Sequence, residues 1–163
     1  MLPTRESLVP QVAIVERNTL VCRGWESLLS RRSQVRLSAV ACEPSALTPA
    51  RGGGYDVIVY GVPQNCRAFT EKVETLVGQG RVLVLMDLSH RQPVTGVLRL
   101  GAFGCVDRRA GESEVLSAVE TVAEGGIHVA AGLAGRLHAE LRQFAAPGLV
   151  LARREAETLR WLA

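Results

Sequence analysis

Three short apolar runs constrain this chain more than anything else in it. Val12 to Val15, Val57 to Tyr60 and Val82 to Met86 are nearly continuous and rich in Val and Ile. A strand with one wet face alternates polar and apolar residues, so runs without alternation are those of parallel strands buried on both faces. A weaker strand, Val35 to Ala41, and a short one, Gly104 to Asp107, bring the expected number to five. Between them, Leu20 to Arg31, Ala68 to Val77, Val94 to Leu100 and Glu112 to Glu124 carry helical spacing. In the last of these, Val115, Val119, Val122 and Ala123 share one face. Strand and helix alternate, which predicts an α/β fold with a parallel sheet covered by helices on both sides and joined by right-handed crossovers.

One unit of this alternation is damaged. Between the second and third strands, Pro44, Pro49 and the run Gly52-Gly53-Gly54 leave room for barely one or two helical turns. With that damaged segment counted as the second helix, Pro93 and Gly96 likewise weaken the start of the fourth, Val94 to Leu100. After Gly125-Gly126, Val129 to Phe144 repeats Leu133, Leu137 and Leu141 every four residues, which predicts a connector helix with one narrow apolar seam. Pro147-Gly148 punctuates the chain, and Arg153 to Ala163 opens a last amphipathic helix, read as the start of a truncated second domain.

Composition excludes several classes. The chain has 163 residues, 47% hydrophobic and 21% charged, a globular balance. No apolar run reaches the roughly 18 residues of a membrane span, and Met1 to Pro10 lacks the apolar core of a signal peptide, so a cytoplasmic protein without membrane association is expected. Of 19 basic residues only Lys72 is lysine, a bias that resembles high-GC, actinobacterial codon usage. A net charge of +3 from dispersed residues does not announce a nucleic-acid surface. Cys22, Cys42, Cys66 and Cys105 have neither zinc spacing nor the density of a disulfide framework, and read as buried thiols. His90, His128 and His138 lack metal-ligand spacing, and read as surface residues. Trp25 lies on the apolar face of the first helix and reads as core.

In an open parallel sheet, ligands and reactive groups collect at the carboxyl ends of the strands. Those ends carry Glu16 and Arg17, then Gly61, then Met86 and Asp87, then Asp107, Arg108 and Arg109. Here the chain resembles the response regulators of the NarL/FixJ (LuxR-type) family. VAIVERNTLVCRGWESLL is similar to the opening of their receiver domain, YDVIVYG to the strand that ends in the phosphoacceptor aspartate, and RVLVLMD to the strand that ends in a hydroxyl residue. LGAFGCVDR is similar to the stretch leading to the receiver's lysine, VETVAEGGIHVAAGLAGRLHAEL to the last receiver helix and linker, and LARREAETLRWLA to the first helix of a LuxR-type helix-turn-helix domain. The resemblance implies a flavodoxin-like (βα)5 receiver with a five-stranded sheet in the order 2-1-3-4-5. It also implies a receiver-like body over residues 1–126, a linker over 127–148 and the beginning of a DNA-binding domain over 149–163.

The departures from the family pattern matter as much as the match. The family's acidic pair falls on Glu16 and Arg17, its phosphoacceptor on Gly61, its hydroxyl on Met86, its aromatic switch on Cys105 and its lysine on Arg108. With Asp87, these residues form what the resemblance implies is a degenerate phosphorylation pocket. Receivers hold Mg²⁺ with several oxygens beside an acceptor carboxylate, and that cluster is missing here. The implication is a non-enzymatic, phosphorylation-independent receiver without cofactor or metal. Such a receiver homodimerises and controls DNA binding through a C-terminal domain, in a regulator of secondary metabolism. Glu16, Arg17, Asp87 and Arg108 then form either a ligand pocket or latch, or a charge cluster left from the lost site. A small-molecule effector entering near Gly61, the Val62 to Arg67 loop and Met86 is one expectation, and a constitutive dimerisation scaffold is the other. Phosphotransfer through Asp87 or Asp107 ranks below both.

Overall fold

The computed structural model describes residues 9–49, 53–87 and 93–144. Its elements run β1 (Gln11–Val15), α1 (Thr19–Ser30), β2 (Arg36–Ala41), β3 (Tyr55–Gly61), α2 (Phe69–Val77), β4 (Gly80–Met86), α3 (Val94–Arg99), β5 (Gly104–Asp107), α4 (Glu112–Ala123) and β6 (His128–Val129). A further helix, α5, occupies the described residues 131–144. The expected start of a DNA-binding domain, 149–163, lies outside the described residues, as do residues 145–148 of the expected linker.

All neighbouring strands pair in parallel, in the order β2-β1-β3-β4-β5-β6. This is the flavodoxin-like arrangement, with one strand more than expected. The sixth strand arises because Gly125, at φ +88°, turns the chain back after α4, so that His128–Val129 run beside β5. The three apolar runs form the sheet's centre. Val12, Ile14, Val57, Ile58, Val59, Val82, Leu83 and Val84 are all fully buried, on both faces of their strands. Helices α1 and α4 line one cleft, and Arg32, after α1, reaches Glu112 at the start of α4 at 3.5 Å. Helix α2 packs on β4, and its Val77 lies beside Gly101 at the end of α3.

The damaged unit is reduced to a single 3₁₀ turn, Pro44–Ala46, with Leu47 buried after it. The glycine run has a use at Gly54, where φ is +94° and a Cβ would stand 2.7 Å from the Gln79 carbonyl oxygen. Helix α3 has only six residues, as Pro93 and Gly96 led one to expect. In α5, Leu133 is fully buried and Leu137 packs on the core, but Leu141 is exposed, so only the first half of its seam is docked.

Candidate functional site

Strand register brings the candidate residues together at the carboxyl end of the sheet. Val15 pairs with Tyr60, Gly61 with Leu85, and Met86 with Asp107, so Glu16, Gly61 and Arg108 stand at the carboxyl ends of β1, β3 and β5, with Met86 of β4 between the last two. The ladder continues past the strands, with Glu16 N–H donating to Ala41 O at 2.9 Å, Val62 N–H to Leu85 O at 3.0 Å and Arg108 N–H to Met86 O at 3.1 Å.

At the centre lies an ion pair between the Glu16 carboxylate and the Arg108 guanidinium, Oε2 against Nη2. Glu16 is 5% exposed. Its other oxygen accepts the Asn18 N–H at 2.9 Å, and Asn18 in turn caps α1 by accepting the Leu20 N–H at 3.0 Å. Arg108 spends a second nitrogen, Nη1, on the Val62 carbonyl at 2.6 Å. The pair therefore ties three strand ends and the start of α1 with charge-assisted bonds.

Gly61 makes this arrangement fit. A Cβ built there would collide with the Glu16 carboxylate, at 2.9 Å from Cδ, and would stand 3.3 Å from Arg108 Nη2. Met86 is 1% exposed and Cys105 is fully buried. A cleft of about 260 Å³ lies between α1 and α4, lined by Gly24, Trp25, Leu85, Arg108, Glu112 and Val115.

Two expected members stand apart from the buried pair. Arg17 turns outward and binds Glu43 at 3.0 Å, where Lys72 also reaches the same carboxylate at 3.1 Å. Asp87 lies 3.9 Å from Arg109 Nη2, and Asp107 accepts the Arg109 N–H at 3.0 Å. Among the described residues, no group of three or more His, Cys, Asp or Glu side chains is placed to hold a metal ion. No helix among them is long and apolar enough to cross a membrane.

The cysteines are not uniformly buried thiols. Cys22 and Cys105 are buried, Cys66 is half-buried near the Tyr60 hydroxyl at 3.5 Å, and Cys42 is exposed in the turn after β2. Burial, then the Glu16 charge, pushes the Cys22 thiol up, and its Sγ donates to Glu16 O at 3.3 Å. Burial pushes the Cys105 thiol up to about 12. Trp25 is core, as expected. His128 is half-buried rather than on the open surface, His138 is exposed as expected, and His90 lies outside the described residues.

Sequence reasoning missed one cluster. Glu140 of α5 accepts the Val94 N–H at 3.1 Å, the Thr95 N–H at 2.8 Å and the Thr95 hydroxyl at 2.9 Å, while Arg136 Nε holds the same carboxylate at 3.2 Å. Two signals pointed toward it: an Arg and a Glu four residues apart, and a helix after Pro93 without a capping side chain.

No protein-family model matches the chain, and no curated protein matches it. Solved structures do. The isolated REC domain of RcsB from Salmonella enterica serovar Typhimurium is 15% identical over 80% of this chain and 99% of its own, with a TM-score of 0.62. The chain has the fold of a response-regulator receiver domain. A LuxR-family two-component response regulator from Aurantimonas sp. SI85-9A1 shares this receiver fold at 18% identity, over 82% of this chain and 98% of its own, with a TM-score of 0.66. ChrA, the response regulator of a heme-sensing two-component system, matches at 22% identity over 83% of this chain and 67% of its own, with a TM-score of 0.65. RcsB is also described as dimers bound to DNA.

Proposed function

We propose that this chain is the receiver and linker of a LuxR-type transcription regulator that works without phosphorylation, dimerises and positions a C-terminal DNA-binding domain. Gly61 carries the reading. It stands where receivers of this kind carry their acceptor aspartate, and it offers no nucleophile. The Glu16 carboxylate, which in a receiver would help to hold Mg²⁺, is bound instead to the Arg108 guanidinium. Glu16, Arg17, Gly61, Met86, Asp87, Cys105 and Arg108 are in this reading the remains of a phosphorylation pocket, rebuilt as a structural ion pair. The role is regulatory rather than enzymatic. RcsB, described as dimers on DNA, supports both partners, a second copy and DNA. The arginine-dominated composition supports an actinobacterial setting, and with it a place in secondary metabolism.

Packing favours the constitutive scaffold over control by a small molecule. The space beside Gly61 and Met86, which a ligand would need, is filled by the ion pair and by core side chains. The scaffold is then controlled by its abundance or by a protein partner.

Acetyl phosphate with Mg²⁺, followed by intact-mass measurement, tests the central claim. The expected result is no phosphoryl adduct, and a stoichiometric adduct would overturn it.

A further inference from the structure

Residues 128–144 do more than lead away from the receiver body. His128 N–H donates to Phe103 O at 2.9 Å and Ala130 N–H to Cys105 O at 3.0 Å, so the chain covers the free edge of β5 with itself. Helix α5 then buries Leu133, and Phe144, the last described residue, meets the Arg99 guanidinium of α3 at 5.1 Å. The polar attachment between α5 and α3 is concentrated in Glu140. Helix α3 follows Pro93, which has no side chain to accept the first helical N–H groups, and the Glu140 carboxylate accepts those of Val94 and Thr95 instead.

We propose that residues 128–144 are a hinged strap, latched by Glu140 to the first turn of α3, which closes the α3–β5 face and whose opening couples the receiver body to the residues that follow. The coupling rests on the receiver reading above, while the strap itself rests on contacts within this chain. Gly125 and Gly126 supply the hinge, between α4 and the strap. The latch is a small set of bonds to one carboxylate, so it has two discrete states, closed and released. A partner that binds one state better than the other shifts the balance between them. Rearrangement at the start of α3 breaks the same bonds that movement of α5 breaks, and each end therefore reports on the other.

Cys105 is the internal reporter. It is fully buried in β5, its neighbour across the ladder is Val129 of the strap, and Glu140 and Arg136 are the charged groups that act on its thiol. Cys22 is buried too, but on α1, away from the strap. Pulse labelling of the 163-residue chain with N-ethylmaleimide under native conditions, read by peptide mass spectrometry, therefore separates local from global opening. In the wild type, Cys42 labels fast while Cys22 and Cys105 label slowly. In Glu140→Ala, Cys105 is expected to label at least tenfold faster with Cys22 unchanged. Thr95→Val, which removes one donor from the opposite side of the latch and keeps its shape, is expected to move Cys105 in the same direction by a smaller factor. An unchanged Cys105 in both variants would overturn the strap, and so would a parallel rise of Cys22 and Cys105. Neither result bears on phosphoryl transfer at Gly61, which the acetyl phosphate experiment reads separately.

Discussion

The Glu16 carboxylate fills the volume that a side chain on Gly61 would enter. The two positions are therefore coupled, and putting an acceptor back is not enough to rebuild a receiver. Forcing extra atoms into a packed interior costs about 1–3 kcal/mol, and Gly61→Ala or Gly61→Asp is expected to lose about that much in urea unfolding. In a Glu16→Ala background the Gly61→Ala loss should shrink by about 0.5 kcal/mol or more, the scale on which contacting residues depart from additivity. An equal loss in both backgrounds would show that Gly61 is constrained by something other than Glu16.

Glu16 and Arg108 also need each other. Glu16 is buried, whereas the Arg108 side chain is 24% exposed, so the pair is only partly screened by solvent. Removing one partner leaves the other uncompensated. Glu16→Gln and Arg108→Met are each expected to destabilise by about 1–3 kcal/mol, and the double variant by less than their sum. Chemical denaturation of the four proteins gives the coupling, and additivity within error would discard the pair as a stabilising unit.

The latch predicts a pH response. Burial alone would raise the Glu140 carboxyl, but the hydrogen bonds from Thr95, Val94 and Arg136 outweigh it and hold the group below the ordinary glutamate value of 4.5. A depressed folded-state pKa stabilises above the unfolded value, and that contribution is lost as pH falls through the folded one. The attachment of α5 is therefore complete near neutrality and loosens only in acid. The amide resonances of Val94 and Thr95, followed by NMR, should titrate with a midpoint below 4.5, and Glu140→Gln should abolish that titration. A midpoint above 4.5 on these amides would contradict the sign.

Much of the fold was legible because a run such as Val82 to Met86 has only one economical burial, as a central parallel strand. Gly61, Glu16 and Arg108 were legible as a group because strand ends in a parallel sheet lie side by side. Arg17 was misplaced. A residue next to Glu16 in sequence points to the other side of the backbone, and its partner Glu43 follows β2, a proximity that only the crossover creates. Strand β6 was hidden for a different reason. Two residues carry no periodicity, and His128–Val129 form a strand only because β5 offers an edge and Gly125 lets the chain reach it. Glu140 was invisible as a cap because it lies 46 residues after the N–H of Val94 that it accepts.

The dimer prediction follows from which surface the chain leaves open. Strand β6 and the strap cover the β5 edge, whereas α1 and α4 frame a cleft that pairs apolar Val21, Trp25 and Val115 with charged Arg108 and Glu112, and Leu20 of α1 is 82% exposed. Two-fold association across α1 and α4 is thus the arrangement this protein is expected to use. Gly24 lies in that cleft, in the middle of α1, and a Cβ there meets nothing within 4 Å. Replacing a helix-interior glycine by arginine gains up to about 1 kcal/mol of helix propensity, so Gly24→Arg should leave the monomer as stable as before or more so. The same side chain fills the cleft with charge. Sedimentation at high concentration should find the wild type self-associating and Gly24→Arg monomeric, with the thermal midpoint of the variant not lowered. A variant that still associates would move the interface elsewhere, and a wild type monomeric at every concentration would remove the receiver-mediated dimer altogether.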